Sequence, residues 1–203
     1  MNIISNNCVG GFLYNIRKEK YKNPFIWMSV TGESLKRLIL DYDKIDFTNY
    51  ELTKDKNWNF SIIVDNCVTI HYSHYKFDAK YNKPTKVDDC VRYNKMWEYI
   101  VEKYNTRCTE MIEKPIFVID AWNGMYNDQP TEFKEHSTRE WLNELLTHDF
   151  KYKTIIIHPY QDLTISKQNV YLIYDKVIEG QWSDTIGVSN RHFKEIMNII
   201  EEI

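Results

Sequence analysis

A chain of 203 residues can build a core that removes about 70% of its unfolded surface from water, so it needs no disulfide or structural metal to fold. Its 26 Lys and Arg against 29 Asp and Glu leave a net charge of −3, without the basic excess expected of a protein that binds nucleic-acid backbones. Hydrophobic residues at 43% and aromatic residues at 15% exclude wholesale disorder, and the longest apolar runs, such as Ile116-Phe117-Val118-Ile119, fall far short of the ~18 residues of a membrane span.

The opening Met-Asn-Ile-Ile-Ser-Asn-Asn-Cys has no cationic flank and no apolar stretch of secretory length, which predicts a cytoplasmic protein. Four widely spaced cysteines, Cys8, Cys67, Cys90 and Cys108, are then expected as reduced thiols. Ile3-Ile4 predicts a short strand, Ser5-Asn6-Asn7 a turn, and Val9, Phe12, Leu13 and Ile16 a helix by their i, i+3, i+4, i+7 spacing. This strand–cysteine–helix unit puts Cys8 at the first turn of a helix, with Asn7 as its N-cap. Asn23-Pro24 ends that helix, and Phe25 to Met28 is an aromatic segment expected to be buried. A second amphipathic helix follows Thr31-Gly32-Glu33-Ser34, with Leu35, Leu38, Ile39 and Tyr42 on one face.

Ser61 to Val64 and Val68 to Tyr72, joined by Asp65-Asn66, read as a β-hairpin that delivers His71 and His74. A polar loop spans Tyr81 to Lys86, and Val87 to Tyr104 reads as a helix with a stripe of Val91, Met96, Trp97, Ile100, Val101 and Tyr104. Next come a strand at Pro115 to Asp120, a loop at Trp122 to Glu135, and a helix opened by the capping-box pattern Ser137-Thr138-Arg139-Glu140. Strands at Lys153 to His158 and Val170 to Asp175 precede a closing helix from about Ser189 to Ile203. The alternation predicts a single α/β domain over residues 1–203, with a mixed or mostly parallel sheet and flanking helices.

The chemistry-bearing residues concentrate near the N-terminus. A thiol at a helix start meets the positive end of the helix dipole and unpaired backbone N–H groups, both of which favour thiolate. Cys8 is therefore a candidate nucleophile, and the same N–H groups with the amides of Asn6 or Asn7 are candidate oxyanion donors. Gly10 and Gly11 let a ligand or another backbone approach. A thiolate works with an imidazole, and His74 or His71 is the expected partner, with His158 third; His136, His148 and His192 read as ordinary surface or core histidines.

Asp120 ends an apolar strand where it could orient a base or bind sugar hydroxyls. Trp122, in a loop rich in amides, and Trp27 suit stacking on a sugar ring. His71 and His74 lack a definable third partner among Asp65, Asp78 and Asp120, so no metal site is expected. Neither a G-x-G-x-x-G nor a Walker loop nor a G-x-S-x-G motif occurs, so no cofactor is expected either.

Three blocks carry a family resemblance: Ser5-Asn6-Asn7-Cys8-Val9-Gly10-Gly11, Asn23-Pro24-Phe25-Ile26-Trp27 and Ile70-His71-Tyr72-Ser73-His74-Tyr75. In order and spacing the chain resembles an uncharacterised family labelled exopolysaccharide or capsule biosynthesis proteins. More distantly it is similar to an uncharacterised group described as papain-like cysteine peptidases, whose Pro-Phe-Asp-Trp block has an Asp where this chain has Ile26. The resemblance implies an α/β protein from a surface-polysaccharide setting, with Cys8 and His74 as the transferable pair and Trp27 and His71 less surely so.

The reading is a cysteine-dependent acyltransferase or hydrolase acting on a small-molecule or sugar substrate. In it Ser5, Asn6, Asn7, Gly10, Gly11, Trp27 and Trp122 line the site. The alternatives are a non-catalytic nucleotide-sugar or glycan-binding module, and a metal-dependent glycosyltransferase-like enzyme using Asp120.

Overall fold

A computed structural model describes residues 2–6, 9–21, 23–25, 30, 32–54, 60–71, 98, 101–109, 111, 114–121, 131–175 and 185–202. The elements run β1 (Asn2–Ser5), α1 (Val9–Arg17), α2 (Gly32–Leu40), a 3-10 turn at Tyr42–Lys44, β2 (Tyr50–Lys54), β3 (Phe60–Val64), β4 (Val68–His71), α3 (101–109), β5 (Pro115–Asp120), α4 (Thr131–Leu145), β6 (Thr154–His158), β7 (Val170–Tyr174) and α5 (Thr185–Glu201). Four strands form a parallel sheet in the order β1-β5-β6-β7, and β2-β3-β4 form an antiparallel one. The fold is α/β, with helices flanking the parallel sheet.

Alternation along the parallel strands divides their side chains between two apolar clusters. Ile4, Phe117, Ile119 and Ile156 join Leu35, Leu38 and Ile39 of α2, Trp141, Leu142 and Leu145 of α4, and the inner residues of the antiparallel sheet, Ile62, Val64, Val68 and Ile70. Ile3, Val118, Ile155, Ile157 and Ile173 join Leu13 and Tyr14 of α1 and Ile196, Met197 and Ile200 of α5. Burial on both faces explains why β5 and β6 read as unbroken apolar runs, each large side chain contributing about 1.5–3 kcal/mol of transfer free energy.

β1 lies at the edge of its sheet in this order, and side chains satisfy its outward backbone groups. The Ile3 N–H donates to the Tyr14 hydroxyl at 3.0 Å. Asn23 Nδ2 donates to the Ile3 carbonyl at 2.7 Å and to Asn2 Oδ1 at 3.0 Å, while Asn23 Oδ1 accepts the Phe25 N–H at 3.0 Å. Asn23 is fully buried, so the turn at 23–25 is sewn along the strand edge. Tyr14 is drawn inward for the same reason, which rotates α1 away from the expected stripe: Tyr14 is fully buried and Ile16 is 40% exposed.

Other boundaries differ from the sequence reading. α4 begins at Thr131, so residues 131–135 are helical rather than loop and Ser137 to Glu140 lie inside the helix, not at its start. Pro130 followed by Glu132 is the helix-start signal that the capping box overshadowed. α5 starts at Thr185, four positions before Ser189. α3 continues to residue 109, past the expected end at Tyr104, which is buried with its hydroxyl donating to the Phe47 carbonyl at 3.0 Å.

β2 was not expected, since Tyr50 and Leu52 are too few apolar residues to declare an alternating strand without the partner strand opposite, where Leu52 pairs with Ile62. The β3–β4 hairpin holds over Ser61–Val64 and Val68–His71, with Tyr72 outside the described residues: Asp65 and Asn66 both take positive φ, 50° and 55°, which these two residue types tolerate better than most.

Asn23 is the residue on which the β1 edge most depends. Asn23→Ala leaves a buried carbonyl at Ile3 and a buried N–H at Phe25 without partners, at about 1–3 kcal/mol each. Urea unfolding should show a stability loss of about 2–6 kcal/mol; a loss within experimental error of zero would refute this account of the edge.

Candidate functional site

Loops that follow the strands of a parallel sheet gather at its carboxyl end, and a crevice opens where neighbouring strands send their next helices to opposite faces. β1 and β5 are such neighbours. β1 leads into α1, whose Leu13 and Tyr14 pack on one face; β5 is followed by α4, whose Trp141, Leu142 and Leu145 pack on the other. The carboxyl ends of β1 and β5 are therefore the candidate position for a site in this topology.

On the β1 side, Ser5 Oγ accepts the Gly10 N–H at 2.9 Å, pairing one of the amides that the start of a helix leaves open. The approach is close enough to demand glycine, because a Cβ at Gly10 would stand 2.6 Å from Ser5 Oγ and 3.3 Å from Ser5 Cβ. Asn6 reaches across to β5: its Nδ2 donates to the Asp120 carbonyl at 2.8 Å and its Oδ1 accepts the Asp120 N–H at 2.9 Å. Asn6's own carbonyl accepts the Val30 N–H at 3.1 Å. Ser5, Asn6 and Asp120 are each 1% exposed. α1 carries no acid in its first turn, so no carboxylate there offsets the positive end of its dipole.

Of the residues read from the sequence, the structure brings Ser5, Asn6, Gly10 and Asp120 together, with Gly11 buried beside them in α1. Asp120 shares the face of Val118, the face covered by α1 and α5. His71 ends β4, opposite Ser61. Asn7, Cys8, Trp27, His74 and Trp122 lie outside the described residues. Of the other thiols, Cys67 and Cys108 are free and half-buried, and burial pushes the Cys108 thiol up to about 11.

A second group stands at the carboxyl ends of β6 and β7. His158 is buried, its Nδ1 accepts the Tyr160 N–H at 3.3 Å, and its ring stacks on Tyr160 at 6.3 Å between centroids. Burial pulls its pKa below the ordinary histidine value, so the ring is held neutral. Asp175 is buried and paired with Arg191, whose Nη2 and Nε lie 2.7 and 3.2 Å from Asp175 Oδ2. His192 Nε2 lies 3.1 Å from the same oxygen but outside hydrogen-bonding geometry, and its Nδ1 lies 3.3 Å from Glu195 Oε2. Sequence reasoning passed over Asp175 and Arg191 and read His192 as an ordinary histidine. The available signal was an acid closing an apolar strand, Val170 to Asp175, the same pattern that singled out Asp120.

Among the described residues no three His, Cys, Asp or Glu side chains group closely enough to hold a metal ion, and no helix is long and apolar enough to cross a membrane.

Residues 1–114 match the family described as a domain of unknown function (DUF1919). The chain belongs to this family. The DUF1919 match takes in β1, α1 and the turn at Asn23, and it contains all three sequence blocks singled out above; it ends just before β5. The cluster is thus built from both sides of that boundary, Ser5, Asn6 and Gly10 within the DUF1919 segment and Asp120 beyond it. No curated protein matches the chain.

The Ser5–Gly10 contact couples two residues tightly enough to be read by a double-mutant cycle. Gly10→Ala alone should cost about 1–3 kcal/mol by crowding Ser5 Oγ, and Ser5→Ala alone about 1 kcal/mol for its hydrogen bond. With the hydroxyl gone the 2.6 Å approach disappears, so the double variant should be more stable than additivity predicts, measured by thermal or urea unfolding. Strict additivity would show that the two groups do not meet as described.

Proposed function

We propose that the chain is a cysteine-dependent acyltransferase or hydrolase whose substrate is an acylated sugar, with Cys8 as nucleophile. The observation that carries the reading is the cluster of Ser5, Asn6, Gly10 and Asp120 at the carboxyl ends of β1 and β5, where the chain leaves the sheet for α1. Cys8 is the residue that directly precedes the first residue of α1, on the chain that leaves β1 for that helix. A thiolate there is favoured by the helix dipole and by an acid-free first turn.

The Cys8 sulfur attacks the acyl carbonyl carbon, and the carbonyl electron pair moves to oxygen, where backbone N–H groups at the helix start stabilise it. Collapse of the tetrahedral intermediate breaks the bond to the leaving oxygen, which takes a proton from the imidazole of His74 or His71. Water or a sugar hydroxyl then attacks the thioester and gives its proton back to that imidazole, releasing the acid or the acylated acceptor with the thiolate restored. Asp120 orients the imidazole or the accepting hydroxyl. The resemblance to exopolysaccharide and capsule biosynthesis proteins supplies the sugar, and Trp27 and Trp122 supply stacking faces for it.

Iodoacetamide alkylation of the folded chain, followed residue by residue by peptide mass spectrometry across pH, tests the nucleophile. Cys8 should react first, with a midpoint below the ~8.5 of a free thiol, and Cys108 should be among the slowest because burial holds its thiol protonated to about 11. Alkylation of Cys8 no faster than of Cys67 and Cys90 would remove it as the nucleophile.

A further inference from the structure

The backbone ladder between β1 and β5 runs through the pair Ser5 and Val118. The next contact between the two strands is made by a side chain: Asn6 binds both the N–H and the carbonyl of Asp120, at 2.9 and 2.8 Å, as a backbone peptide would. Asn is the residue type suited to this. Asp lacks the donor, and Gln carries the amide a methylene too far. Because the side chain makes the rung, the Asn6 backbone can turn out of the sheet, and its carbonyl is taken by the Val30 N–H. This buried amide therefore has a defined job, and it is one that direct substrate contact does not require.

We propose that Asn6 is a positioning residue for the nucleophile: its amide rung anchors the chain, two residues before Cys8, to the strand end that carries Asp120. The inference rests on the reading of Cys8 as nucleophile and refines it. Two peptide units separate Asn6 from Cys8, which limits their Cα atoms to about 7 Å apart, so the anchor acts within the reach of one short segment. Ser5 Oγ on the Gly10 N–H holds the far side of the same segment. The amides of the helix start, rather than the Asn6 amide, are left to receive the oxyanion.

The test is the pH profile of Cys8 alkylation in the full chain for the wild type, Asn6→Ala and Asn6→Ser, with Asn169→Ala as a stability control. Asn169 binds the carbonyls of Phe150 and Lys151 at the opposite end of the sheet and touches nothing at the crevice. A positioning role predicts a wild-type midpoint below that of a free thiol, a rate at pH 7 lower by about tenfold or more in both Asn6 variants, and a midpoint moved upward. Asn169→Ala should leave the profile in place whatever it does to melting temperature.

A depressed wild-type midpoint that both Asn6 variants retain would overturn the positioning role while leaving the nucleophile intact. Equal shifts in the Asn6 and Asn169 variants would overturn it as general loosening. An ordinary wild-type midpoint would remove the nucleophile and the positioning role together. If Asn6→Ala does not fold, Asn6→Ser decides by the same criteria, since its hydroxyl and the water it admits can pair one of the exposed Asp120 groups without rebuilding the rung.

Discussion

The amide of Asn6, bonded at once to the N–H and the carbonyl of Asp120, is the contact that the architecture of the crevice depends on. It lets β1 stop pairing through its backbone while staying attached to β5, so the chain can turn toward α1 without leaving buried polar groups of Asp120 unpaired. In an interior where an unmet peptide group costs about 1–3 kcal/mol, such a departure from a sheet needs a substitute partner for each group it abandons. Around β1 side chains and a loop amide serve as such substitutes: Tyr14 for the Ile3 N–H, Asn23 for the Ile3 carbonyl, Val30 for the Asn6 carbonyl.

This arrangement also explains why small and amide-bearing residues crowd the start of the chain. Ser5, Asn6, Gly10 and Asn23 look like ligand-binding chemistry when read as a string, yet each has an internal contact that shapes the turn. Their contacts build the local frame of the β1 end. The chemistry proposed for the crevice then falls to Cys8, to an imidazole delivered by the hairpin and to Asp120, with helix-start amides as the electrostatic support. The second cluster, at the ends of β6 and β7, is of a different kind. His158 is kept neutral by burial, and Asp175 is matched by Arg191, so its charges are balanced within the protein.

Much of the fold was legible because burial on both faces writes itself into composition. β5, β6 and β7 stand out as apolar runs, and the β3–β4 turn is announced by Asp65-Asn66. What escaped was set by partners distant in sequence. β2 is a strand because Ile62 lies opposite Leu52, and α1 is rotated because an edge amide needs the Tyr14 hydroxyl. The residue types that meet at the ends of β1 and β5 were legible, since Ser5, Asn6, Gly10 and Asp120 were all singled out. That Asn6 and Asp120 bond directly, 114 residues apart, has no local signature.

Amide hydrogen exchange at Asp120 tests the central contact most directly. If Asn6 Oδ1 accepts this N–H as a rung of the sheet, Asp120 should exchange as slowly as Phe117, whose N–H is bound to the Lys153 carbonyl inside the ladder. Exchange of Asp120 at the rate of an open loop, with Phe117 still protected, would contradict the account.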